Sequence, residues 1–225
     1  NTQDWPVVAM APDGRFVVAW NSSSQDGSGW GIYAQRFDAG GTAQGSEFRV
    51  NSSTSGNQEG AAIGMANDGS FVIAFTDYNS ASGDVLVQRY NASGVAQGGN
   101  VRANSTTTNV QGSSSVAVAA GGTYVVVWES ENQDAGGTWG IYGQRYSAAG
   151  VAQGSEFRIN ATTAGQQYYP AVAIDSSGNF VVAWESATQD PGGNSGIYAQ
   201  RFNAAGAAQG AEFRVNSTTA DAQTS

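Results

Sequence analysis

The sequence predicts an all-β chain: a four-bladed β-propeller, each blade a four-stranded antiparallel sheet from a repeat of about 54 residues. Three observations carry this. The aromatic residue closing an apolar stretch recurs at Trp20, Phe75, Trp128 and Trp184, at spacings of 55, 53 and 56 residues. Two arginine positions recur in every repeat, Arg36, Arg89, Arg145 and Arg201, then Arg49, Arg102, Arg158 and Arg214. The strand before each aromatic is apolar on both faces, as a strand covered on both sides must be.

Within a repeat the first strand is "PVVAM" at 6–10, with counterparts at 61–65, 115–119 and 170–174. A turn follows ("APDG", "ANDG", "DSSG"), whose glycine suits a hairpin needing positive φ. The second strand is "RFVVAW", "SFVIAF", "TYVVVW" or "NFVVAW". A loop, "QDGSGW" in the first repeat, leads to the third strand, "GIYAQRF", which mixes polar and apolar residues. The fourth is "SEFRV", and "NSSTSGNQ" connects to the next repeat. This gradient from apolar to mixed fits blades stacked radially, better than a solenoid of shorter coils or tandem sandwiches. One domain, 1–225, is expected, with repeats of approximately 1–58, 59–111, 112–167 and 168–225. The segment 216–225 repeats the connector sequence and the chain opens inside the same connector, so the termini are expected to meet and close the ring; a piece of a longer array is the alternative. Repeats this alike could also exchange blades between copies.

Composition narrows function. The 225 residues include 9 basic groups, all arginine, and 18 acidic ones, for a net charge of −9. No basic field exists for a nucleic-acid backbone. The absence of cysteine and histidine removes disulfides, zinc–thiolate sites, cysteine nucleophiles and every His-based triad. No apolar run is long enough for a membrane helix, and "NTQDWP" is not a signal peptide, so flanking domains of a larger chain are expected.

Asp26, Asp134 and Asp190 hold one loop position in repeats one, three and four. A carboxylate among glycines and serines could begin a calcium site, so these three are the metal and ligand candidates; capping of the loop's own N–H groups is the plainer role. Repeat two replaces the loop with a shorter one flanked by Asp77 and Asp84. Trp30 and Trp139 share a place on that loop, where an indole face beside Asn, Gln and Asp would suit a sugar; covering the next blade is the alternative. Glu129 and Glu185 follow the strand-ending tryptophans and could serve glycoside hydrolysis, but as copies of one position they read as architecture. The eight repeated arginines read as ties between strands or blades.

The consensus "FVVAWxSxxQDGxGxGIYAQRFxAxGxxxGxEFRVN", carried most closely by 16–51, 124–160 and 180–216, resembles repeats of very large secreted bacterial proteins that also carry hemolysin-type calcium-binding, cadherin-like or adhesin modules. The resemblance implies a propeller-like extracellular module and assigns no catalytic residue; repeat two departs from it. The expected function is therefore a non-enzymatic binding or adhesion module, secreted or at the bacterial cell surface, with a glycan or a cell-surface protein as partner. A structural spacer is the alternative, and a glycoside hydrolase the more distant one.

Overall fold

Alternation of buried strands with glycine-bearing hairpins folds each repeat onto itself. The computed structural model describes residues 2–79, 82–134 and 136–219. The first sheet comprises β1 (Gln3–Met10), β2 (Phe16–Ser23), β3 (Trp30–Phe37) and β4 (Phe48–Arg49). The second holds β5 (Gln58–Met65), β6 (Phe71–Asp77), β7 (Asp84–Tyr90) and β8 (Val101–Arg102). The third holds β9 (Gln111–Val118), β10 (Tyr124–Glu131), β11 (Trp139–Tyr146) and β12 (Phe157–Arg158). The fourth holds β13 (Gln167–Ile174), β14 (Phe180–Asp190), β15 (Asn194–Phe202) and β16 (Phe213–Arg214). Each sheet is an antiparallel meander from one contiguous repeat, which gives the expected four-bladed, propeller-like all-β architecture. The predicted hairpin glycines Gly14, Gly69 and Gly178 lie at φ of 83° to 88°, a conformation that strains any other residue.

The first strands β1, β5, β9 and β13 touch one another in series and line the inner side of the stack. Each has an irregularity two residues in: pairing with the second strand breaks between Asp4 and Val7, Glu59 and Ala62, and Tyr168 and Ala171, and at the matching place in β9. The residue at the break takes positive φ: Trp5, Gly60, Ser113 and Tyr169. These bulges recur at one level at the inner rim of the stack.

Three hydrophobic clusters hold the sheets together, each between consecutive blades. Val17, Ala19, Ile32 and Val50 of the first meet Phe71, Ile73 and Phe75 of the second. Val72, Ala74 and Val85 meet Tyr124, Val126 and Trp128. Val125, Val127 and Ile141 meet Phe180, Val182 and Trp184. Each interface sets a small-residue face against a large-residue face.

The expected ring closure is not what the fold shows. Among the described residues no hydrophobic cluster joins the fourth sheet to the first, and residues 220–225 of the expected connector lie outside the description. The second strands record the difference. Strand β6 is buried on both faces through Thr76, and β10 is buried on both through Ser130. In β2 only the Val17 and Ala19 face is buried, and Trp20 is left half-buried. In β14 the opposite holds: Phe180, Val182 and Trp184 are buried, whereas Val181 is 37% exposed. The stack is an open arc whose two end faces are of opposite kind.

Trp128 has no exposed surface. Trp128→Ala is expected to cost about 4 kcal/mol, the range for a fully buried aromatic. Trp20→Ala should cost less than half as much, read by urea unfolding in dilute solution. Equal losses would mean that the first blade's outer face is covered.

Candidate functional site

The repeated aspartates are anchored by their own blades. Asp134 is buried; its Oδ1 accepts from the Tyr142 hydroxyl at 2.8 Å and its Oδ2 from Asn160 Nδ2 at 2.7 Å. Asp190 is held identically by Tyr198 at 2.8 Å and Asn216 at 2.7 Å. Asp26 accepts from Asn51 at 2.9 Å and from the Ser28 N–H at 3.4 Å. Arg158 and Arg214 stand 3.8 and 3.9 Å from Asp134 and Asp190. Burial, with the aspartate beside each, raises the Tyr142 and Tyr198 hydroxyls above the usual tyrosine range, so both remain proton donors.

The asparagine completes a latch unnoticed in the sequence. Asn51, Asn104, Asn160 and Asn216 each accept an N–H of the third strand at 2.8 Å. Each also donates to a connector carbonyl and to the blade's carboxylate. The signal was available: "RVN", "RAN", "RIN" and "RVN" recur in register with the arginines. The glycine opening "GIY" is part of the latch, because a Cβ on Gly31 or Gly140 would lie 2.6 Å from the aspartate carboxylate. The second blade solves the same problem by another route. Asp84 occupies that glycine's register position, opposite Asp77, and receives Asn104 Nδ2 at 2.7 Å. The divergent repeat therefore keeps the latch and moves its acid from loop to strand. Among the described residues no three Asp, Glu, His or Cys side chains converge to hold a metal ion.

The arginines divide into two sets. Arg36, Arg89 and Arg145 donate to a carbonyl of the following blade, at Ala92, Ala148 and Ala204, over 2.8 to 3.0 Å. Arg102, Arg158 and Arg214 instead face the latch carboxylates.

A different cluster gathers at the inner rim, where first strands begin and second strands end. Asp4 pairs with Asn21, Glu59 with Thr76, Gly112 with Glu129 and Tyr168 with Glu185. The same level thus carries four acids, of which the sequence reading had singled out only Glu129 and Glu185. Both of those are buried. Glu129 reaches into the fourth blade, where its Oε1 accepts the Tyr169 N–H at 2.5 Å. Burial pushes its carboxyl above the usual glutamate range; the Tyr169 N–H and the Ser113 hydroxyl oppose this, and the Glu185 carboxylate adds to it. Burial also raises Glu59, and Asp4 adds to that shift. Tyr78 links the pairs, its hydroxyl raised by burial and then by Glu59 and Glu129. Asp4 Oδ1 and Asn21 Oδ1 are buried with no hydrogen-bond partner among the described residues, a state that costs free energy unless something binds there.

Aromatic rings border these acids. Trp139 lies 6.0 Å from Tyr168, which lies 5.9 Å from Tyr169, ring centre to ring centre. Trp139 therefore packs on the next blade, at the level of the rim. Tyr169 is 58% exposed and Trp5, at the matching bulge of the first blade, 62%. Trp30 is half-buried, its backbone N–H donates to Asn57 Oδ1 at 3.2 Å, and it has no ring partner among the described residues.

No family model and no curated protein sequence matches the chain. Solved structures do. A thermostable family-43 glycoside hydrolase superposes with a TM-score of 0.56 at 13% identity, over 98% of this chain and 77% of its own. A GH43 endo-arabinanase from Bacillus licheniformis gives 0.53 at 13% identity, over 92% and 77%. A Hadza microbial sialidase gives 0.58 at 11% identity, over 86% of this chain but 43% of its own. At these identities the likeness is one of fold, and nothing in it points to hemolysin-type adhesins. The expectation of a non-enzymatic module is corrected by these matches, because the structures sharing the fold are carbohydrate-active enzymes. Glu129 and Glu185 were set aside as copies of one position, yet their surroundings differ from blade to blade.

Gly140→Ala is expected to destabilise the chain by about 2 kcal/mol, since the new methyl group meets the buried Asp134 carboxylate. The pair Asp134→Ala with Gly140→Asp, which copies the arrangement at Asp84, should recover most of that loss in thermal unfolding. A transplant no more stable than Gly140→Ala would refute the equivalence.

Proposed function

We propose that the chain cleaves glycosidic bonds at the inner rim of the arc, with Glu129 as proton donor and Glu185 as its carboxylate partner. One observation carries the reading: a buried glutamic acid held above its ordinary range beside a second buried carboxylate. In such a pair the protonated acid gives its proton to the leaving oxygen as the C–O bond breaks. The ionised partner takes the proton of the water that adds to the anomeric carbon. The rings of Trp139, Tyr168 and Tyr169 supply flat apolar faces for sugar rings. Glycan binding at this rim is the part shared with the recognition module expected from sequence. Two of the structural neighbours are an endo-arabinanase and a sialidase, so arabinans and sialosides are the first substrates to try. An extracellular bacterial setting, as one module of a larger secreted protein, fits a polymeric substrate that cannot enter a cell.

The test is release of reducing ends or free sialic acid from arabinans, mannans and sialosides. Glu129→Gln should lower kcat by about 100-fold or more, the usual contribution of a positioned general acid. Activity of the unaltered chain should fall as pH rises through the elevated Glu129 pKa, where the proton donor is lost. Stability runs the same way: the neutral carboxyl is compatible with burial below the ordinary glutamate pKa, and that contribution is lost as pH rises through the folded-state value. Glu129→Gln should therefore raise Tm at neutral pH while lowering kcat. No release by folded protein, or release untouched by Glu129→Gln, would overturn the proposal.

A further inference from the structure

We infer that the rim admits glycans without negative charge and refuses those that carry it, and that Glu59 is the residue that sets this choice. The inference deepens the glycosidase reading and rests on it. It draws on contacts among the second, third and fourth blades.

Glu59 is an acid without architectural work. It stands at the rim level, cross-strand from Thr76, and is half-buried. The glutamates at the blade contacts accept backbone N–H groups of a neighbouring sheet: Glu129 from Tyr169, Glu156 from Ser105 and Glu212 from Ala161. The Glu59 carboxyl instead bonds to the Asn57 side chain two residues before it and, among the described residues, to no backbone N–H. Tyr78 places this acid beside the proposed catalytic pair. Its hydroxyl would lie 3.4 Å from a Cβ added at Gly112, and Gly112 is the cross-strand partner of Glu129. That hydroxyl is raised by burial and then by Glu59 and Glu129, and Glu185 acts on Glu129 in turn. Carboxyls of three consecutive blades thus share one field at the rim.

Strand geometry keeps every cationic side chain out of that field. The nine arginines are the only basic side chains of the chain. Arg102 and Arg158 lie opposite Leu86 and Tyr142, which lie opposite Phe75 and Trp128. Glu129 follows Trp128, so side-chain alternation sets it on the other face of the sheet from Arg158. Arg89 and Arg145 share the face of Thr76 and Glu129, but they pair with Val72 and Val125, about 13 Å back along the strand. Their guanidinium groups are held there, over Gly150 and Gly206, by the Ala148 and Ala204 carbonyls. Arg36, Arg201, Arg49 and Arg214 repeat these two placements in the first and fourth blades. Arg15 sits against Asp13 in a hairpin at the far end of the strands.

A sialic or uronic acid entering the rim therefore finds carboxylates and no partner for its own. A neutral ring meets the faces of Trp139, Tyr168 and Tyr169 without that repulsion. Repulsion of the wrong ligand selects as effectively as attraction of the right one. Of the substrates named above, arabinans and mannans fit the rim and sialosides do not.

The experiment takes arabinan and mannan, each beside a sample whose primary alcohols have been oxidised to carboxylates, at about 0.01 M salt. On the oxidised form kcat/KM should be lower by about tenfold or more, the scale of uncompensated like charge in a binding site. Glu59→Gln, checked for unchanged near-ultraviolet circular dichroism, should close most of that gap by lowering KM for the oxidised polymer. Raising salt to about 1 M shortens the screening length from about 30 Å to about 3 Å. That should close the gap for the unaltered chain and add little for Glu59→Gln. Equal cleavage of neutral and oxidised polymer, release of sialic acid from sialosides, or a gap that Glu59→Gln and salt leave in place would each overturn the inference and leave the glycosidase reading intact. Cleavage of none of these substrates would overturn the glycosidase reading. Retardation of the same polymers in an affinity gel then decides the inference, which stands if only a neutral polymer is retarded and falls otherwise.

Discussion

Burial of each sheet against its neighbour is the constraint from which the rest of the molecule follows. A single four-stranded sheet cannot make a core alone, so each blade depends on its neighbour for part of its stability. The chain meets this by giving every sheet one small-residue face and one large-residue face. Val125 and Val127 receive Phe180, Val182 and Trp184, and the same pairing is repeated at the other two interfaces. A polar tie sits at the edge of each contact, where the guanidinium has few competitors and the glycine beneath it leaves room for a short bond. Packing and hydrogen bonding thus fix the same register between blades.

Within a blade the corresponding fixed point is the asparagine latch. One amide satisfies a strand N–H, a connector carbonyl and a carboxylate, three groups that would otherwise be costly to bury. The aspartate that completes it is satisfied by protein donors on both oxygens in the third and fourth blades. The loop "QDAGGTWGIYGQRY" is accordingly a hairpin whose acid is turned inward, and its tryptophan, not its aspartate, reaches the rim.

Much of the architecture was legible because it recurs. Two-sided apolar strands, hairpin glycines and arginines in register all point to stacked sheets. Ring closure was not legible, since Val8 and Met10 read like Ile63 and Met65; only the neighbours present decide which are covered. The rim was harder. Asp4, Glu59, Glu129 and Glu185 come from two strand positions in four repeats, and no linear spacing reveals that they share one level of the sheets. The latch asparagines were visible as a repeat but were passed over, because a single amide in a Ser- and Thr-rich connector has no distinguishing chemistry until its three partners are placed.

The contrast between what repeats and what varies locates function more sharply than either alone. At the interfaces every blade carries the same solution, because any departure would open a seam. At the rim one register position is Asp4, Glu59, Gly112 and Tyr168, and its cross-strand partner is Asn21, Thr76, Glu129 and Glu185. A purely architectural level would converge on one residue pair, as the latch does. Here the backbone is held to the same positive-φ bulge in all four blades while the side chains diverge into acids, an amide, hydroxyls and an aromatic ring. A bulge kept at one level together with chemical diversity at that level is the pattern expected where a symmetric scaffold serves an asymmetric ligand.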